Sequence, residues 1–494
     1  MLKKIAFLII LLVIVRFSGV TASPKREFRA VWIATVGNID WPSKQGLSAD
    51  VQQEEFRAIL RRVKQNRLNA VIVQIRPAAD ALYESPYENW SRYLSGKQGQ
   101  APSPYYDPLT FMIEECHRQC IEFHAWLNPY RALVDANKNV HTLSHITYQQ
   151  PSWFLRYGGK LYFDPGLKEV REYFIKIVLD IVKRYDVDAI HFDDYFYPYR
   201  IAGQEFPDHK SFAISGKTYM ARDDWRRENV NVLIEALASK IKELKPWVKF
   251  GISPFGVWRN ARKDPDGSQT TAGQTNYDDL FADVLLWLKK GWIDYILPQL
   301  YWERGHKAAD YLELIQWWSR HAYEKHLYIG HGIYQVGTSS KACWRDMQEV
   351  IQQVDLTRST KNIQGSSFYS AVAFKKDLCG LNDAMQYEIY PHIALLPVMP
   401  WIKSVKPQAP VVKMKKSGTG ITLSWTSTET KGGLQYAIYR FTKGQDIDFE
   451  RAENLLEITR SSTWISNEAS GKYTYAVTAL NRLHVESEPG YAME

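Results

Sequence analysis

Apolar and polar positions alternate with two different periods along most of the chain. Residues 69–77, NAVIVQIRP, alternate with period two: Ile72, Gln74 and Arg76 share one face, Val71, Val73 and Ile75 the other, as in a strand. Residues 50–67 instead repeat apolar positions (Val51, Phe56, Ile59, Leu60, Val63) at helical spacing. The same exchange recurs, with strands near residues 30, 72, 124, 190, 251, 297, 329 and 368. Helices are predicted at 108–119, 167–184, 225–244, 280–289, 308–325 and 342–354. Eight strands separated by helices fit a (β/α)8 TIM-type barrel, although doubly wound sheets share this rhythm. Polar and aromatic groups decide for closure. Arg76, Asn128, Arg131, Asp193, Ser253, Gln299 and Tyr301 follow strand after strand at the C-terminal end, where barrel enzymes assemble their sites.

Residues 185–198, YDVDAIHFDDYFYP, stand out within that rhythm. Ile190 and Phe192 take the outward face, which places His191 and Asp193 inside the mouth. Asp194 would point outward if the strand continued, but the loop reading of Tyr195–Pro198 frees it to turn inward. Adjacent carboxylates among aromatic rings are costly to bury without a task.

The ends of the chain read differently. Residues 1–22 resemble an export signal: Lys3 and Lys4, an apolar run from Ile5 to Val15, then small residues before cleavage after Ala22. The run is too short to favour a membrane span, and no cysteine sits near the cleavage site to take a lipid. The expected location is therefore periplasmic, cell-envelope or secreted, with no stable membrane anchor. The barrel is placed at 23–390, followed by a proline-rich linker at 391–407. Residues 408–494 hold short alternating segments (GITLSWTST, LQYAIYRFT, STWISN, GKYTYAVTALN) that predict a small all-β sandwich. With Trp425, Tyr439 and Tyr475 as its core aromatics, this part resembles a fibronectin type III module.

Composition narrows the chemistry. The 17 Trp and 30 Tyr residues suit either a large aromatic core or sugar stacking. The net charge of +8 falls to +5 once Lys3, Lys4 and Arg16 leave with the signal, an excess that suits an anionic polymer. The four cysteines are read as structural. No phosphate-cradling loop, nucleotide fingerprint or serine-hydrolase elbow occurs, so neither a cofactor nor a nucleic-acid partner is expected. Metal binding through His191, Asp193, Asp194 and Asp164 is the weaker reading, and no metal is assigned.

Glycoside cleavage needs one carboxylic acid to protonate the departing oxygen and a second carboxylate to attack or to activate water. Asp193, Asp194 and Glu303 are the catalytic candidates. Asp193 is the first choice to face the sugar, and Glu303 the first choice for proton donor, because the neighbouring Trp302 would raise its pKa. The structural alternatives are that Asp194 caps backbone amides and that Glu303 pairs with Arg304. Arg76, Asp80, Asn128, Arg131, His191, Gln299, Tyr301 and Trp302 are the candidate substrate contacts. Arg76 and Arg131 are suited to gripping a carboxylate, or else pair internally with Asp80 or Asp193.

VQIRPAADALYES, HAWLNPYR, FDPG, VDAIHFDDYFYP, ISPFGVWRN and DYILPQLYWERGH, in that order, resemble the glycosyl hydrolase-like 10 family from residue 27 to about 400. The resemblance implies a barrel in an exported bacterial protein and glycosidase activity on peptidoglycan strands stripped of their peptides. It places the eleven mouth residues named above at the site, without assigning their roles. The lipoprotein members carry an attachment cysteine that this chain lacks. The alternatives are a non-catalytic glycan-binding protein and a hydrolase of dietary or host polysaccharide.

Overall fold

The computed structural model describes residues 23–137, 141–417, 420–427, 434–467 and 471–493; the expected export signal lies outside them. Eight parallel strands close into a ring in chain order: β1 (Phe28–Ile33), β2 (Ala70–Arg76), β3 (Glu122–Leu127), β4 (Ala189–Phe192), β5 (Lys249–Ile252), β6 (Tyr295–Ile296), β7 (His326–His331) and β8 (Ile363–Phe368). The last strand pairs with the first, Phe28 opposite Gly365 and Val31 opposite Phe368. The closed barrel replaces the open-sheet alternative.

Helices α1 (Ala49–Gln65), α2 (Pro108–Arg118), α3 (Lys168–Arg184), α4 (Arg222–Leu244), α5 (Val284–Lys289), α6 (Tyr311–Arg320) and α7 (Gln348–Ser359) form the outer layer. Local signals start several of them. Asp107 accepts from the Leu109 and Thr110 amides with Pro108 in the first turn of α2, and Asp310 caps α6 through the Leu312 amide. Helix α1 buries Phe56, Ile59, Leu60 and Val63 as its period predicts, but Val51 is 44% exposed because, at 3.6 residues per turn, it falls outside the stripe those four share.

The outward strand residues join the helices in one core, Ile190 and Phe192 among them, while Phe28, Trp32, Ile72, Trp126, Tyr295 and Tyr328 form a second core within the ring. Closure requires glycine at the seam. Gly365 has φ +149°, and a Cβ there would lie 2.0 Å from the Phe28 carbonyl oxygen. Beyond β3 the chain makes an excursion that periodicity missed, a three-stranded sheet of Arg131–Leu133, Phe154–Tyr157 and Lys160–Phe163.

After the barrel, the proline-rich stretch expected to be a linker is packed. Leu396, Met399 and Ile402 join the core within the ring, and Trp401 Nε1 donates to Asp294 at 3.0 Å. Two antiparallel sheets follow, one of Val411–Ser417, Gly420–Thr426 and Thr463–Ser466, the other of Leu455–Thr459, Gln435–Thr442, Tyr473–Leu480 and Gly490–Tyr491. They bury Val412, Leu423, Trp425, Ile438, Tyr475 and Val477 in common. Strands 411–417, 455–459 and 490–491 were not evident in the sequence. All four cysteines are free thiols, Cys116 and Cys120 buried. Among the described residues no helix is long and apolar enough to cross a membrane.

Gly365→Ala is expected to cost about 3 kcal/mol or more, because the clash is with backbone that cannot move without opening the seam. Urea denaturation of the purified variant measures it.

Candidate active site

The mouth is built from strand ends, and hydrogen-bond accounting fixes its inner part. Gln74, inward on β2, accepts from the amides of Thr35 and Val36 at 3.0 and 2.9 Å, so its Nε2 is committed as a donor to Asn128 Oδ1 at 2.7 Å. Arg131 Nη2 donates to the same oxygen at 2.8 Å. Asn128 must therefore turn its amide nitrogen the other way, and Nδ2 donates to Asp193 Oδ2. Trp126 Nε1 also donates to that oxygen at 3.1 Å, and the Tyr195 amide to Oδ1 at 3.2 Å.

Asp194 turns inward, as the loop reading expected, but into different surroundings. Tyr199 donates its hydroxyl to Oδ2, and Gln299 Nε2 reaches Oδ1 at 3.3 Å while also donating to the Ser253 carbonyl at 3.0 Å. Both carboxyls are buried. Burial pushes both pKa values up. For Asp193 the rise is opposed by the Arg131 charge and the donors from Asn128, Tyr195 and Trp126. For Asp194 the charge of Asp193 adds to burial, and its carboxyl is pushed up to about 7. The Arg131 charge and the three donors thus favour charge on Asp193, and that charge favours a proton on Asp194.

Glu303 and Arg76 lie in surroundings other than those expected. Glu303 is not raised by Trp302, whose ring packs edge-on against Phe255 at 5.3 Å. Lys341 Nζ instead grips both Glu303 oxygens at 2.7 and 2.9 Å and, by hydrogen bond and charge, holds that carboxyl below its usual range. Nor does Glu303 pair with Arg304, which binds Glu349. As found, Glu303 is an anion at the rim and unsuited to donate a proton. Arg76 is likewise unavailable to substrate. It is fully buried, its Nε and Nη2 donating to Glu88 at 2.7 and 2.6 Å and its Nη1 to the Asn128 carbonyl.

The remaining candidates separate by depth. Arg131 also donates from Nε to the Pro77 carbonyl at 2.8 Å and lies over the Tyr195 ring at 5.2 Å. Its Nη1 has no hydrogen bond to a described residue. Asp80 is buried with Oδ1 unpartnered, and burial pushes its carboxyl up to about 6. His191 lies on the barrel floor against Trp32 and Tyr295. Tyr301 packs near Tyr334 and Tyr369 at 6.1 and 5.9 Å, giving the rim an aromatic wall, and Tyr195 stacks on Tyr199 at 5.3 Å.

Sequence reasoning missed Gln74, Trp126, Tyr195 and Tyr199 as parts of the site. Trp126 shares the inward phase of Asn128 and could have been found that way. Tyr199 lies in a loop, where no period aims a side chain.

The family described as glycosyl hydrolase-like 10 matches residues 27–346. Among known proteins, the glycosyl hydrolase YngK of Bacillus subtilis (strain 168) is 45% identical over 482 residues, covering 94% of this chain and 93% of that one. The glycosyl hydrolase DigH of Escherichia coli (strain K12) is 36% identical over 372 residues, covering 71% of this chain and 84% of that one. A solved structure, the PgaB (BpsB) glycoside hydrolase domain from Bordetella bronchiseptica, is 11% identical with a TM-score of 0.48, covering 73% of this chain and 99% of that one.

Arg76→Ala is expected to destabilise the fold by about 3–5 kcal/mol, since it strands Glu88 as an unpaired buried carboxyl. Denaturation of the variant measures this, whereas a raised KM at unchanged stability would return Arg76 to the substrate contacts.

Proposed function

Because the chain belongs to the glycosyl hydrolase-like 10 family and is a glycoside hydrolase, we propose that it is exported and cleaves peptidoglycan glycan strands already stripped of their peptides. The observation that carries the mechanism is the Asp193–Asp194 pair, with one carboxyl set to hold a charge and its neighbour set to hold a proton near neutral pH. Asp194 is the general acid that protonates the departing glycosidic oxygen. Asp193, steadied by Asn128, Trp126 and the Tyr195 amide, is the carboxylate that serves the developing positive charge or the attacking group.

The substrate class is supported by the family resemblance and by the surroundings of the pair. The uncommitted edge of Arg131 suits the lactyl carboxylate of muramic acid, and Tyr199, Tyr301, Tyr334 and Trp302 offer faces for pyranose rings. Asp80, Gln299 and the Glu303–Lys341 pair supply polar contacts around them. The signal-like residues 1–22 support export to the periplasm or cell envelope. The two C-terminal sheets are read as a β-sandwich of the fibronectin type III kind that docks onto the barrel.

Mass spectrometry of products from residues 23–494 incubated with peptide-free glycan strands, intact peptidoglycan and chitin oligomers tests the reading. Fragments from peptide-free strands alone, lost in Asp193→Asn, are expected. Chitin cleavage would redirect the substrate class, and no fragments from any glycan would favour a binding protein.

The acid assignment gives a pH dependence with a defined sign. The active form of Asp194 is protonated, so the rate should fall as pH rises through about 7. The Tyr199 hydrogen bond favours the charged form, and removing it in Tyr199→Phe should move that limb upward by about one pH unit. A limb that stays in place would exclude Asp194 as the acid.

A further inference from the structure

Below the carboxyl pair the barrel interior holds a column of buried polar side chains that the reaction scheme above does not use. At its foot Glu122 accepts from Lys249 Nζ, from His484 Nε2 at 2.8 Å and from His124 Nε2 at 3.0 Å. The Nδ1 atoms of His124 and His191 both meet the Tyr295 hydroxyl, at 2.8 and 2.9 Å. His191 is fully buried, and its Nε2 has no hydrogen-bond partner among the described residues. Gly251 makes the arrangement fit, since a Cβ there would stand 1.9 Å from Tyr295 Cζ.

Proton counting orients the column. A hydroxyl has one proton, so Tyr295 can donate to only one of the two histidines and must accept from the other. A carboxylate only accepts, so His124 directs its Nε2–H at Glu122. Lys249 already balances the Glu122 charge, and a further buried cation would cost several kcal/mol. With its Nε2–H on Glu122, His124 presents a bare Nδ1 that receives the Tyr295 proton. The Tyr295 oxygen accepts in turn from His191 Nδ1–H, which leaves His191 Nε2 with a lone pair.

We propose that Glu122, His124, Tyr295 and His191 form a positioning device for the reaction, which fixes His191 as the Nδ1–H tautomer and anchors the last inward side chain of β4 before the carboxyl pair. The proposal rests on the Asp193–Asp194 reading. His191 shares the inward face of β4 with Asp193, and the strand ends between them at Phe192. Holding the His191 ring holds the turn that sets where both carboxyls sit, and reacting groups tolerate little displacement. His484, from the C-terminal region, is the outermost donor, so that region reaches the catalytic strand through four consecutive hydrogen bonds.

Two measurements on the full chain test this. Neutron diffraction from deuterium-exchanged crystals should show deuterons on His124 Nε2 and His191 Nδ1, and none on His191 Nε2. A deuteron on His191 Nε2 would overturn the proposal. Kinetics then compare Tyr295→Phe with Tyr328→Phe, a neighbour equally buried and hydrogen-bonded through its hydroxyl to His326 Nδ1 at 2.9 Å, outside the column. With whichever of the tested glycans the wild type cleaves, Tyr295→Phe should lower kcat roughly 10- to 100-fold with KM within about twofold, while Tyr328→Phe keeps kcat near wild type. Equal kcat in the two variants would mean that the column only supports the fold. The neutron map needs no substrate, so failure of the column is distinguishable from failure of the carboxyl reading, which Asp193→Asn reports.

Discussion

A closed ring of parallel strands shuts bulk water out of its interior, and each polar side chain that the strands turn inward must find a partner inside the ring. That constraint shapes the whole molecule. It makes Gln74, Asn128 and Asp193 one chain of committed donors and acceptors, because Gln74 is fixed first by two backbone amides. It also makes Glu122, His124, Tyr295 and His191 a second chain, fixed from the opposite end by Lys249 and His484. The two converge on the short strand β4, which ends at the carboxyl pair.

The same constraint separates residues that act from residues that support. Arg76 and Arg131 are both arginines at the mouth end of the barrel, yet Arg76 is consumed by Glu88 and backbone carbonyls while Arg131 keeps an edge free. Asp193 and Asp194 are neighbours in sequence, yet one faces a cation and several donors and the other faces a phenol, an amide and the first carboxylate. Environment, more than residue type, divides their labour. Glu303 shows the converse: one lysine from the loop after β7 is enough to turn a candidate acid into a rim anion.

The C-terminal region is integrated with the barrel rather than tethered to it. The proline-rich stretch lays Leu396, Met399 and Ile402 across the foot of the ring. Arg482 pairs with Asp188 at 3.3 Å, and Glu486 with Lys25 and Arg26 at 2.8 and 3.1 Å. These ion pairs and the apolar contacts of the 391–407 stretch join the two parts.

The sequence by itself determined the eight-strand rhythm, the inward phase of His191 and Asp193, and the polar strand ends, because strand and helix periods are local and a side chain's face follows from its place in the period. It also determined the all-β character of the C-terminal part and, through six ordered motifs, the family. Only the tertiary structure decided that Arg76 is locked, that Glu303 is paired with Lys341, that Tyr199 and Trp126 serve the carboxyls, and that the supposed linker is packed. These depend on partners that no local period aims at one another, from five residues apart for Tyr199 and Asp194 to 107 for Trp401 and Asp294, several of them on loops whose course no period sets. A carboxyl's proton affinity belongs to the set of groups around it, and that set exists only once the ring has closed.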